Sequence, residues 1–189
     1  MVINVMTRDV WHAEPPRVES MIIRKATHVF WMNVKRNVCY TKVHCIELLK
    51  RAQRYNMSIQ NQRDIRYNFM VGGDGFVYEG RGWGQPPLLP REFARVNSES
   101  VVIGFMGFFN SAKELPEDMF KNGQDLVANG VASEFIHKDF QFIDLLSQHQ
   151  SVRPTYNRDG GPSTEYPERR HFERDYRDGY NDPRGPSYY

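Results

Sequence analysis

Cysteine is scarce in this chain: Cys39 and Cys45 are the only two among 189 residues. Taken alone the pair leaves two readings open, free thiols in a reducing compartment or one disulfide in an oxidising one. Net charge is also small, +2 at pH 7, which argues against nucleic acid as the main partner. No run of eighteen apolar residues occurs, so no stretch has the length of a membrane-spanning helix. Met1 to Ser20 lacks an apolar secretory core, because Arg8, Asp9, His12 and Glu14 interrupt it. The expectation is a cytosolic isoform, or a chain whose leader or anchor lies upstream. Internal repeats are missing. So are a phosphate-cradling glycine loop ahead of a helix and any spacing that suggests a Ser/His/Asp arrangement.

What is present is enough for one packed domain followed by a tail. Hydrophobic residues make up 40% of the chain. The richest segment is Asp64 to Trp83, and it reads as a β-hairpin. Tyr67–Val71 is aromatic and β-branched, Gly72-Gly73-Asp74-Gly75 supplies the turn, and Phe76–Glu79 returns. Met21–Ile23 reads as a buried strand, and Ala26–Val38 as an inserted, basic stretch after it. Thr41–Asn56 reads as an amphipathic helix with Val43, Ile46, Leu49 and Ala52 on one face, extended by Leu48 and Tyr55. Gly84–Arg95 holds Pro86, Pro87 and Pro90 and is a loop. Val101–Gly107 is a buried strand. Pro116 opens a helix through Met119, Leu126 and Val131, in which Gly123 and Gly130 imply close packing. Phe140–Leu146 is a further strand. From about Glu165 aliphatic residues almost vanish, so Glu165–Tyr189 reads as a disordered tail. Arg169 and Arg170 are interleaved there with acids, as in a solvated segment.

Several of these segments resemble the peptidoglycan recognition proteins, relatives of zinc amidases that cut muramic acid from its stem peptide. The resemblance covers about Thr7 to Pro162. It rests on the hairpin run Asp64-Ile-Arg-Tyr-Asn-Phe-Met-Val-Gly-Gly-Asp-Gly-Phe-Val-Tyr-Glu-Gly-Arg-Gly-Trp83, on Leu49–Met57, on the cysteine pair and on Val102–Gly107. It implies an α/β fold, a central mixed sheet flanked by three helices, over residues 7–164, with a ligand groove on one face. It also implies a Cys39–Cys45 disulfide, and that Arg8, Trp11 and Pro15 belong to a segment wrapping the domain edge.

For the active site the resemblance implies two histidines and a cysteine around zinc. The first histidine belongs after the first buried strand. The matching run is Met21-Ile-Ile-Arg-Lys-Ala26, so the position falls on Lys25, which has no lone pair when protonated. His28 reads as a loop histidine. The second histidine falls on Leu145 in an ungapped register, or on His149 with an insertion. The cysteine falls on Arg153 or Asn157. No cysteine follows Cys45 in either register. Only Tyr67 remains of the catalytic set. Arg81 and Trp83 are candidate ligand contacts, or braces of the sheet edge. Pro86, Pro87, Leu88, Leu89 and Pro90 replace a polar groove loop, with Leu88 and Leu89 expected on the surface as a protein-contact patch.

The resulting expectation is a member without catalysis, metal or cofactor, similar to the non-catalytic long-form insect members. It would act in innate immune signalling against bacteria, through other recognition receptors or through residual contact with peptidoglycan. The reading set against it is an N-acetylmuramoyl-L-alanine amidase with an altered zinc site.

Overall fold

A computed structural model describes residues 3–17, 25–34 and 38–146. The expected strand at Met21–Ile23 and the expected tail, Glu165–Tyr189, lie outside the described residues. Among the described residues eight regular elements form the frame: β1 (Val5–Met6), β2 (Ala26–Val34), α1 (Lys42–Arg54), β3 (Phe69–Val71), β4 (Val77–Glu79), β5 (Ser100–Met106), α2 (Glu117–Ala132) and β6 (Ile136–Asp144). A π-helical turn, Tyr55–Ile59, continues α1, and a 3-10 segment, Arg91–Glu99, precedes β5. The sheet is mixed, in the order β1-β4-β3-β5-β2-β6. β5 is parallel to both β3 and β2, β6 is parallel to β2, and the β3–β4 hairpin is antiparallel. This is the α/β architecture that the resemblance implies.

The stretch expected as an insertion is in fact the longest central strand. β2 carries Val29-Phe30-Trp31-Met32 without a polar interruption, as a strand covered on both faces should. Alternation sends Phe30, Met32 and Val34 to the α1 side, where they join Cys45, Leu48, Leu49, Tyr67, Met70 and Val102. Val29 and Trp31 go to the α2 side with Phe69, Ile103, Phe105, Met119 and Leu126. Basic residues near the strand, among them Lys25, hid this pattern. His28 accordingly lies within β2, its ring 6.4 Å from that of Phe30, and not in a loop.

α1 begins at the expected place, with Thr41 Oγ1 accepting from His44 N at 3.3 Å. Its buried face is Cys45, Leu48, Leu49 and Gln53, while Val43 and Tyr55 are 71% and 53% exposed. Of the expected face, Leu48 and Leu49 are buried and Ile46 and Ala52 pack against the core, while Val43 and Tyr55 fall outside it and polar Gln53 takes a buried place. Gln53 is held by Asp64 Oδ1 at 2.7 Å and by the backbone of Glu14. In α2 both glycines sit where a Cβ would collide: at Gly123 with Phe105 and Trp31, at Gly130 with Ile136 and Trp83.

Candidate functional site

Tyr67 stands just before β3, and its ring reaches across the α1 side of the sheet toward the end of β2. Its ring needs the space over Gly104, where a Cβ would come within 2.8 Å of Tyr67 Cδ1 and 2.5 Å of Val34 Cγ2. The phenol donates to Asn33 O at 3.1 Å. Burial pushes its pKa up, and the neighbouring Arg66 guanidinium opposes that rise. Tyr67 is therefore a neutral hydrogen-bond donor directed at the end of β2.

Two other side chains reach this corner. Met32 comes from β2, and Leu145 follows β6, its N–H donating to Trp31 O at 2.9 Å. Both are almost completely buried in the same cluster as Tyr67. Asn33 points to the opposite face, where its amide holds Phe109 and Leu146. The disulfide Cys39–Cys45, with Cα atoms 5.1 Å apart, belongs to the same cluster, and Cys39 Sγ lies 3.3 Å from Met106 Sδ.

The sequence-derived positions divide accordingly. Leu145 directly follows β6 and belongs to the same buried cluster as Tyr67. Lys25 lies at the opposite end of β2, roughly 23 Å of strand from Met32, exposed and paired with Glu134 at 3.3 Å. His149, Arg153 and Asn157 lie outside the described residues. Met32 was not singled out in the sequence because the first buried strand was sought at Met21–Ile23. The signal was there: Val29–Met32 is the longer apolar run, and it stands closer to Cys39.

These residues do not fit a zinc ion. Catalytic zinc takes histidine nitrogen, cysteine thiolate or carboxylate oxygen. This corner offers a thioether, an isobutyl group and a phenol that burial keeps protonated. Both cysteines are consumed by the disulfide. Among the described residues no three His, Cys, Asp or Glu side chains converge.

Arg81 and Trp83 are braces in this structure. Arg81 donates to the carbonyls of Ile65, Pro86 and Asp64, and burial lowers its pKa, partly offset by Asp64. Trp83 stacks on Phe135 at 5.4 Å and packs against Phe69 at 4.4 Å. Arg8 pairs with Asp64 at 2.8 Å, and Trp11 Nε1 donates to Glu79 O at 2.8 Å, which wraps the N-terminal segment over the hairpin edge. The proline loop is clamped down. Leu88 N donates to Arg66 O, Leu89 N to Asn97 Oδ1, and Asn68 Nδ2 to the carbonyls of Gly82 and Gln85. Leu89 is 6% exposed and Leu88 is half-buried. The expected surface patch is therefore not formed: Leu89 plugs the core between Asn97 and the hairpin.

Comparison with known proteins agrees with this fold. The family profile described as N-acetylmuramoyl-L-alanine amidase matches residues 34–163. Peptidoglycan-recognition protein SC2 of Drosophila simulans is 29% identical over 155 residues, 81% of this chain and 79% of that protein. Bumblebee PGRP-SA has a similar structure, with a TM-score of 0.70 and 26% identity over 80% of this chain and 87% of the other. Peptidoglycan recognition protein-LE, solved in complex with tracheal cytotoxin, a monomeric diaminopimelic acid-type peptidoglycan, gives 0.68 and 29% over 74% and 81%.

Proposed function

This chain belongs to the N-acetylmuramoyl-L-alanine amidase family, among its peptidoglycan recognition proteins, and from that premise we propose that it recognises without cutting. The observation that carries this reading is the apolar corner made by Met32 and Leu145 beside Tyr67. Hydrolysis in this family runs through zinc, and two positions next to the surviving tyrosine offer no lone pair that zinc prefers. A protonated Tyr67 without a metal positions no attacking water. It can still donate a hydrogen bond to a bound sugar or peptide carbonyl once Asn33 O releases it.

The partner class is bacterial cell-wall peptidoglycan or another recognition receptor bound to it, in innate immune signalling. The relative solved with tracheal cytotoxin supports the muropeptide side of this. The loop from Pro86 to Pro90 supports weak monomer binding, since its backbone donors at Leu88 and Leu89 are already spent on Arg66 and Asn97. Each muropeptide group left without a partner costs about 1–3 kcal/mol.

The test is elemental analysis after dialysis against zinc, together with an amidase assay and a pull-down on insoluble peptidoglycan. Less than about a tenth of an equivalent of zinc is expected, because the preferred donor set is missing. No cleavage should occur, and the polymer should retain the chain. Stoichiometric zinc with release of stem peptide would overturn the reading and establish an amidase with an altered metal site. Failure to bind the polymer would leave the receptor as the partner.

A further inference from the structure

On the other face of the sheet, between α2 and β6, lies a groove of about 640 Å3 that takes no part in the Tyr67 corner. That volume is in the range of small-molecule sites. Phe120, Val127 and Val131 wall it from α2, Phe140 and Phe142 from β6, and Trp31 lies between them. The rings of Phe120 and Phe142 both meet Trp31 edge-on, at 5.5 and 5.1 Å. Phe142 nonetheless remains 48% exposed.

Two polar features distinguish this groove from a plain apolar face. Trp31 is 3% exposed, and its indole Nε1–H is buried without a hydrogen-bond partner among the described residues. A buried indole donor normally finds an acceptor. Besides that N–H, the lining contains only two polar side chains, Gln124 and Lys138. Lys138 brings a cation to the lining, and no carboxylate lines the groove beside it. Apolar walls, an orphan donor and one uncompensated positive charge together ask for a ligand with an alkyl body and an anionic oxygen head.

We infer that this groove binds a free fatty acid. The alkyl chain lies against the phenylalanine and valine walls. The carboxylate supplies the acceptor that the Trp31 indole lacks and the counter-charge for Lys138. This is a second site, on the opposite side of the sheet from the peptidoglycan corner, and it stands whether or not peptidoglycan is bound.

Calorimetry on the full chain with laurate, and with dodecanol as the uncharged analogue, tests this. Laurate is expected to bind one-to-one. Lys138→Gln should weaken laurate about tenfold, the worth of one charge-assisted hydrogen bond, and leave dodecanol within about twofold. Trp31→Phe keeps a ring in place but removes the donor, and should weaken laurate by a similar factor. Ala128→Trp, an exposed position on the wall, should block both ligands, and a melting curve checks that each variant folds. Absence of laurate binding by the full chain overturns the inference, including the case in which residues after 146 or a second copy fill the groove. Laurate binding indifferent to Lys138→Gln and Ala128→Trp places the ligand elsewhere and overturns it as well.

Discussion

Asn33→Ala is the substitution whose cost the structure specifies best. Asn33 is fully buried. Its Nδ2 donates to Phe109 O at 2.7 Å and to Leu146 O at 2.9 Å, and its Oδ1 accepts from Phe109 N at 3.1 Å. One amide thus ties β2 to the segment after β5 and to the end of β6. Alanine strands three backbone groups. A buried unpaired group costs about 1–3 kcal/mol. Leu146 O is in the fully buried bond, whereas water can partly reach the two at Phe109. Assigning about 2 kcal/mol to the first and about 1 to each of the others gives about 4 kcal/mol. For a chain of this size each kcal/mol lowers the melting temperature by about 2–4 °C, so a fall of about 8–16 °C is expected by calorimetry. Asn33→Asp sharpens the test. Its carboxylate keeps the acceptor but faces two carbonyls, so it should be no more stable than alanine at pH 7. It should recover part of the loss at acid pH, where the protonated form donates once. A melting temperature for Asn33→Ala within about 2 °C of the parent would refute the view that this amide holds the strand ends together.

Reduction of Cys39–Cys45, whose six-residue separation closes a short loop, should remove about 2 kcal/mol in the chain-entropy treatment. It should lower the melting temperature by about 5 °C; an unchanged curve after confirmed reduction would contradict this. Leu89→Ala should cost about 2–4 kcal/mol by chemical denaturation, since Leu89 is core; a loss below about 0.5 kcal/mol would restore it to the surface. Tyr78 has its pKa raised, by burial first and then by its hydrogen bond to Asp74. The unfolded chain therefore ionises near 10.0, the ordinary value for tyrosine, while the folded chain resists. Stability should be flat below that pH and fall above it, and Tyr78→Phe should flatten the alkaline limb in denaturant titrations at stepped pH.

The hairpin, β5 and α2 were legible in the sequence because their signals are local: a glycine-rich turn, a continuous apolar run, a proline at a helix start. The end of β2 was not. A short apolar run at Met21–Ile23 competed with Val29–Met32, and only pairing with β5 and β6 shows which run lies in the sheet. That choice put the candidate metal position at Lys25, whereas the strand carrying Val29–Met32 is the one that pairs with β5 and β6. Gln53 and Asn33 were invisible for another reason. Both are polar residues buried because distant backbone meets them, and periodicity carries no trace of such partners. Leu89 was misplaced because a proline-rich loop resembles surface, whereas the Asn68 and Arg81 side chains hold it down.

β5 lies between two parallel neighbours, and all seven of its residues are buried. Among the described residues β6 pairs on one side only, and four of its nine residues are exposed. In exchange with heavy water these strands would therefore keep different clocks. Amides of β5 would be released only when the whole domain opens, while those of β6 would report on a smaller, more frequent excursion that peels the outer strand from β2. Leu145 and Leu146 would travel with that strand, so the corner at Tyr67 would be unmade and remade many times within the lifetime of one folded molecule.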